Sequence, residues 1–567
     1  MSHPNRAWLL VACLAAGAIL FYTANHPAYR GYFSDDDLAT MRWAPIVSLS
    51  EYSLDLLSPK FSELNLRPVG CLYYCFLDRT FGLHYKPYVA VLQALHVVNV
   101  VLLFFLLDWL GFSGIAAGAG ALFYAFNAAV MEAYWKPMYV FDLLCATLCL
   151  VTLLLYIRGR WLLALIPFWL AYKSKEIAVM LPAALLAYEG LLGQRKWKRL
   201  IPYFLISLNF GLQALLHNRN VSQGHTYSLQ FTPDIVLNAT RFYSSAMLFL
   251  PDLWVALLLL PLLVHDRRLT FGVVLMVSVF LPLLFLPREH SLSVYCYVPM
   301  IGFVIALAAL ASRIPRWTIA VFFVVWLPLQ FVMLRDKRRD ILAQGDRTRL
   351  LVGVLQNYAH QIPPVRAVVY ENVPDHFHNW GIDGAIGQAF GAKVDAAWSV
   401  DPNAKQALAK VPMAVIRFDP VTYAVKGMVR PRDGLQSYIR FKDNIPASEL
   451  GSGWYDPGSA MRWSAPQAEA HLYRPAAATD FEVVAFLPRE IIEPGGPSEV
   501  TVLEDGKPLG TVKLSEPRIT PLRWKVTAGP EGDRRLTIIS KPVRHGGADD
   551  PRDFGIVIAA FGYVPAN

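Results

Sequence analysis

Charge is what this chain has least of. Asp, Glu, Lys and Arg make up 17% of 567 residues, against 55% hydrophobic residues and a mean hydropathy of +0.36. That balance excludes a string of soluble domains, in which about a quarter of the residues would be charged. Cysteine is scarce too, and none follows Cys296, so the C-terminal part does not depend on disulfides. Cys13, Cys145, Cys149 and Cys296 lie in or beside apolar runs and read as packing residues. Cys71 and Cys75 are the pair open to a disulfide, although i,i+4 spacing on one helix gives it poor geometry. GxxxxGK[ST], HExxH and GxSxG are all missing, which removes the phosphate loop, the zinc-protease helix and the nucleophile elbow. Nothing reads as a nucleic-acid module, so the net charge of +9 needs another explanation.

What the chain does have is apolar runs. From Trp8 to Leu334 they recur in blocks long enough to cross a bilayer, roughly 17–25 residues each. The expected fold is a polytopic α-helical membrane protein of about eleven spans. Their cores fall at 7–24, 87–107, 113–130, 139–156, 161–172, 177–192, 200–216, 243–264, 269–286, 293–311 and 317–334. The sequence FYTANHPAYRGYF after the first run lacks a small-residue cleavage site, which favours a retained anchor over a signal peptide. Arg158 and Arg160, Arg195 to Arg199, Arg267 and Arg268, and Arg313 and Arg316 occupy alternate short loops. The positive-inside rule places these loops in the cytoplasm, so the net charge of +9 is mostly a topology signal. The 25–86 loop and everything after 334 then lie outside, in a bacterial inner membrane the periplasm. The run RDKRRD at 335–340 opposes this scheme, unless it lies against anionic headgroups or the count is off by one.

Three regions follow: a membrane domain over 1–334, a small α/β region over 335–445 and a β-sandwich over 446–567. AVVY (367–370) and MAVIRF (413–418) read as strands and 384–391 as helix. Beyond 446, short alternating runs are separated by Pro and Gly, and EDGKPLG supplies a hairpin turn. Trp454, Tyr455 and Trp463 offer faces to a sugar, though strand aromatics more often pack into a core or rim.

Chemistry concentrates on the outer turns. Asp35, Asp36 and Asp37 sit just past the first apolar run, inside YFSDDDLATMRW. Carboxylates this close repel, so at least one titrates high unless a cation or hydroxyl compensates, which suits a general base. The competing reading is a helix N-terminus capped by Ser34. Arg67, followed by Pro68, places a guanidinium where it can grip phosphate. Glu132 lies at membrane depth with Lys136 behind it, as a functional carboxylate or as an i,i+4 pair. Lys173, Lys175 and Glu176 form a turn whose lysines run against positive-inside, and an anionic ligand would explain them. Arg288, Glu289, His290 and Tyr295 make a further turn. Asp375, His376 and His378 give only a weak metal pattern and read as structural.

The order of these segments matters: an acidic pair after the first span, an RP-led loop running into FGLHYKPYVAVLQALHVVN, then MEAYWKPMYVFDLL, KSKEIAVMLP and YCYVPMIGF. In this order, over residues 1–334, the chain resembles the GT-C superfamily of polyprenyl-phosphate-sugar-dependent glycosyltransferases, in particular its protein O-mannosyltransferase-like branch. The resemblance implies a GT-C-like membrane fold and inverting transfer of a sugar from a polyprenyl-phosphate donor to an acceptor hydroxyl. It maps the family's acidic pair onto Asp36 and Asp37, with Asp36 as base and Asp35 in support. Its second acidic position falls on Glu132, with Lys136 nearby, and its SKE turn on Ser174, Lys175 and Glu176. Arg288 falls where a basic residue faces the donor phosphate, with Lys175 and Arg67 around it and His290 supporting. Three departures stand out: the third aspartate blurs the register by one, SVYCYVP replaces ERYLY, and TPR repeats are absent. Some bacterial members resemble this chain in carrying a C-terminal sandwich.

Expected partners are membrane lipids, the lipid-linked donor and a protein, lipid or glycan acceptor. The aspartates can offer ligands to a divalent metal but not a full set. Two other readings stay open: a lipid-linked glycan transporter or non-catalytic glycan-binding scaffold, and an enzyme of the same fold using a pyrophosphate-linked oligosaccharide.

Overall fold

A computed structural model of the chain describes residues 16–60, 67–220, 230–286, 291–399, 412–430, 435–442, 449–457, 460–477, 479–489, 492, 495–527, 529–545, 550 and 552–565. It divides into two compact units, Met1–Thr348 and Arg349–Asn567.

The first unit is helical. Residues 16–25 form α1, and a tight turn at His26–Arg30 leads to α2 (Asp35–Trp43), α3 (Leu49–Leu57) and α4 (Pro68–Phe81). Then come α5 (Tyr85–Trp109), α6 (Gly114–Phe126), α7 (Val140–Ile157), α8 (Leu165–Tyr172), α9 (Leu181–Leu191) and α10 (Ile201–Asn220). The last are α11 (Pro233–Leu248), α12 (Leu253–Leu263), α13 (Arg267–Phe280), α14 (Pro299–Ala311) and α15 (Arg316–Gln361). Local signals set many of these boundaries. Pro68 opens α4, where its missing N–H costs nothing, and the Ser113 hydroxyl and Asp266 carboxylate accept the first free N–H groups of α6 and α13.

Among the described residues four helices are long and apolar enough to cross a membrane, or six if two bent pairs each make one span. This is a multi-pass membrane architecture, but the expected spans are not matched one for one. The apolar run at 161–172 holds only the eight-residue α8, about 12 Å long. The run at 243–264 breaks at Phe249, which adopts a left-handed backbone before Pro251, and the chain bends by 81°. α13 and α14 cross closely because a side chain at either Gly272 or Gly302 would meet the other helix's backbone within 2.6 Å. At the end of α5 and α7, Arg158 lies over Trp109 at 4.1 Å, and Arg268 donates to the Gly111 carbonyl and reaches Asp266, as does Arg313. Three of the four basic loops thus meet at one end of the bundle.

The second unit, into which α15 continues, opens with a mixed sheet. β1 (Ala367–Glu371) pairs in parallel with β2 (Asp395–Trp398) and β3 (Met413–Phe418), and β3 pairs antiparallel with β4 (Val425–Arg430). α16 (Asn379–Phe390) packs against β2. The remaining strands are β5 (Tyr438–Arg440), β6 (Trp454–Pro457), β7 (Arg462–Ser464), β8 (Gln467–Arg474), β9 (Thr479–Phe486), β10 (Ser498–Glu504), β11 (Lys507–Leu514), β12 (Thr520–Val526), β13 (Gly532–Lys541), β14 (Arg544–His545), β15 (Asp553–Phe554) and β16 (Val557–Pro565). They form one sheet in the order β11-β10-β13-β8, another in the order β12-β9-β16-β7-β6 with β5 on β16, and a two-stranded ribbon of β14 and β15. Leu472, Val500, Leu536 and Ile538 of the first meet Phe481, Val483, Trp524 and Phe561 of the second in one core. Asp505 and Gly506 both take positive φ in the turn between β10 and β11, as an Asp-Gly hairpin requires.

Glu371, at the end of β1 and fully buried, binds Arg417 of β3 at 2.9 Å and also Arg462 of β7. One carboxylate thus ties the mixed sheet to the sandwich. Trp454 is a core residue, stacked on Phe561 at 5.2 Å, and Tyr455 and Trp463 pack on Phe554. Cys71 and Cys75 keep free, buried thiols, packed with Tyr52 beneath α3 and α4.

Candidate active site

Asp37 is the third residue of α2, where a carboxylate can reach back to the residue before the helix. The Ser34 N–H and hydroxyl each donate to its Oδ2 at 2.7 Å, and Tyr74 of α4 donates to Oδ1 at 2.6 Å. The side chain is fully buried. Burial, reinforced by the neighbouring Asp36 charge, pushes its carboxyl up to about 6, against the pull of the Tyr74 and Ser34 hydrogen bonds. A carboxyl raised in the folded state stabilises the fold most below its ordinary value near 3.8 and loses that contribution as pH rises through about 6. The wild-type melting temperature should therefore fall between about pH 4 and pH 7 more steeply than that of Asp37→Asn. Parallel slopes in differential scanning fluorimetry would refute this.

With Asp37 turned inward, Asp36 is the exposed member of the run and Asp35 is buried. The capped end of α2 packs on the turn before α7, where the Ser34 hydroxyl meets Met138 Sδ at 3.3 Å. Gly345 of α15 closes the other side: a side chain there would strike the Tyr32 backbone at 2.7 Å.

Glu132 is delivered by a broken helix. α6 stops at Asn127, the chain bends by 64°, and a short 3-10 helix carries Ala128–Tyr134. The break is satisfied locally: Asn127 Oδ1 accepts from the Ala129 N–H, and Gln330 of α15 accepts from the Ala128 N–H at 2.7 Å. Glu132 then lies 3.8 Å from Lys136 and 3.7 Å from Lys337, with Ser293 donating at 3.4 Å. Lys136 also reaches Gln344. The i,i+4 pair exists, but it belongs to a wider cluster.

The KSKE turn follows α8. Lys175 donates to Asp142 at 2.5 Å and lies over the Tyr295 ring at 4.7 Å, with both charges nearly buried. Lys173 holds the Lys60 carbonyl at 3.2 Å and so pins the segment after α3. Arg67 grips Glu176 with two parallel bonds of 2.8 and 2.9 Å, both side chains about one-third exposed. The Val69 N–H, donating to the Lys173 carbonyl, brings the start of α4 to this turn.

These groups converge. Tyr139 lies within electrostatic reach of Glu132, Asp142, Tyr295 and Asp36, and Arg67 within reach of Glu176, Asp142 and Tyr295. Asp35, Asp36, Asp37, Glu132, Lys136, Lys175, Glu176 and Arg67 therefore share one end of the bundle, opposite Arg158, Arg268 and Arg313. Arg288 and His290 lie outside the described residues. The sequence reading missed Asp142 and Lys337. Asp142 had a signal, since an acidic residue in the first turn of an apolar span is a candidate by its depth. Lys337 had none, because its partner lies more than two hundred residues earlier. Among the described residues no three His, Cys, Asp or Glu side chains group as metal ligands.

The span interiors also hold polar groups. His96 contacts the Tyr297 hydroxyl at 2.7 Å, Asn99 donates to the same hydroxyl, and Tyr124 donates to the Tyr297 carbonyl.

No family model matches the chain, and no curated protein matches it. Two solved structures of ArnT from Cupriavidus metallidurans, one bound to undecaprenyl phosphate and one in the apo state, superpose with a TM-score of 0.43 each. They are 13% and 14% identical to the chain, and the matches cover 74% and 73% of it and 94% and 93% of theirs.

Proposed function

We propose that this chain is a membrane glycosyltransferase of GT-C type, moving a sugar from a polyprenyl-phosphate donor to a hydroxyl of a protein, lipid or glycan acceptor. The observation that carries the reading is an exposed carboxylate, Asp36, at the bundle end where Glu132, Arg67, Lys136 and Lys337 also converge. In this reading Asp36 takes the proton of the acceptor hydroxyl. The acceptor oxygen attacks the anomeric carbon while the bond to the donor phosphate breaks, and that electron pair leaves on the phosphate oxygen. A single displacement inverts the anomeric centre. Arg67 and Lys337, each at least one-third exposed, are the cations best placed to offset the phosphate charge, with Lys136 in support. Lys175 is largely committed to Asp142 and positions the turn. The site faces the outside of a bacterial inner membrane, and the second unit is periplasmic.

The test is reconstitution of the purified chain in vesicles with a radiolabelled polyprenyl-phosphate hexose and a membrane extract as acceptor. Label should move to the acceptor with release of polyprenyl phosphate. Movement of intact labelled lipid across the bilayer, without release, would replace the enzyme by a transporter. Equal use of a pyrophosphate-linked oligosaccharide would change the donor class.

A further inference from the structure

α15 passes from its apolar stretch into RDKRRD without a break. Helical spacing then sorts the charges of that run. Lys337 turns to Glu132 and Ser293. Arg335, Arg338 and Arg339 turn instead to an open groove of about 750 Å³, lined also by Pro27, Phe331, Val332 and Asp346. Asp336 and Asp340 do not line it, so three guanidiniums face one carboxylate. The Arg338 guanidinium lies 5.4 Å from the Trp135 ring and 5.5 Å from that of Phe331, and its Nε has no hydrogen-bond partner among the described residues. Arg335 and Arg339 are exposed and, among the described residues, enter no hydrogen bond or ion pair.

The same helical stripe continues from Arg335 in the other direction as Val332, Val325 and Val321, at spacings of three, seven and four residues. All three valines are more than half exposed. One face of one helix therefore changes from bare valine to bare arginine within a single turn, about 5 Å. An apolar span flanked by clustered cations attracts anionic lipid, each cation strengthening the hold.

We propose that this groove binds the phosphate of an anionic phospholipid, whose acyl chain runs along Val332, Val325 and Val321. The inference stands apart from the glycosyl-transfer reading, which uses Lys337 on the neighbouring face. It also gives the basic run at 335–340 a reason to sit at the end of the bundle opposite the other basic loops.

The test uses the purified full chain in neutral detergent with a fluorescent short-chain phosphatidylglycerol and the matching phosphatidylcholine. Saturable binding of phosphatidylglycerol is expected, with phosphatidylcholine at least about tenfold weaker. Arg335→Gln with Arg339→Gln should weaken phosphatidylglycerol binding about thirtyfold, two cations at a membrane surface each being worth about fivefold. Arg313→Gln with Arg316→Gln, before the apolar stretch, should leave it unchanged. If the first pair does not purify as a monodisperse species, Arg339→Gln alone should give about fivefold. Equal binding by wild type and the Arg335/Arg339 variant would overturn the proposal. So would displacement by inorganic phosphate at the concentration of lipid, or by polyprenyl phosphate far below the concentration of phosphatidylglycerol, which would hand the groove to the donor.

Discussion

Asp36→Asn should lower sugar transfer by about 10²–10⁴-fold while the protein stays folded and its melting temperature stays within a few degrees of wild type. The substitution keeps the shape of the side chain and removes the group that takes a proton. Little stability is at stake, because Asp36 is exposed and substitutions at exposed positions cost little. The neighbouring position should behave differently. Asp37 holds Ser34 and Tyr74 from a buried position, so Asp37→Asn should act mainly on stability and its pH dependence. Initial rates with a saturating polyprenyl-phosphate donor, measured beside melting curves for both variants, separate the two roles. A folded Asp36→Asn enzyme with wild-type rates would end the assignment of the base.

The second large effect concerns folding. Lys175→Met should destabilise the protein by about 3–5 kcal/mol, because it takes the contacting cation from the nearly buried Asp142 carboxylate in the first turn of α7. The double variant Asp142→Leu/Lys175→Met removes both charges, and it should recover most of the loss or exceed wild-type stability. Melting temperatures of the detergent-solubilised variants give the cycle. Single variants as stable as wild type would show that the pair is solvated and that its short contact counts for little. Arg67→Lys, by contrast, keeps a charge and loses only the fork to Glu176, so its effect on stability should be smaller.

Much of this was legible in the residues because it is local. Ser34 as the cap before three acidic residues and Asp505-Gly506 between alternating strands each carry their own geometry, and each forms as its chemistry dictates. The Glu132–Lys136 pair is equally local. What escaped was set by distance along the chain. Asp142 and Lys175 are 33 residues apart and Arg67 and Glu176 are 109, so only tertiary packing brings them together. The span count of about eleven is not confirmed, for a related reason. Hydropathy measures how apolar a run is, but the run at 243–264 turns at Phe249 and that at 161–172 helps bury neighbours through a short helix. α15 gives the opposite error: the apolar window ends at Leu334, yet the backbone needs no apolar residue to remain helical and carries Lys337 to Glu132.

Glu371 has a consequence for anyone who would dissect the molecule. Its carboxylate compensates Arg462, a cation with no access to water, from a different sheet. A fragment cut between the mixed sheet and the sandwich would leave that guanidinium in the core without its counter-charge. The region from Arg349 onward should therefore melt in a single transition and survive limited proteolysis as one fragment, whatever its sheets look like on paper.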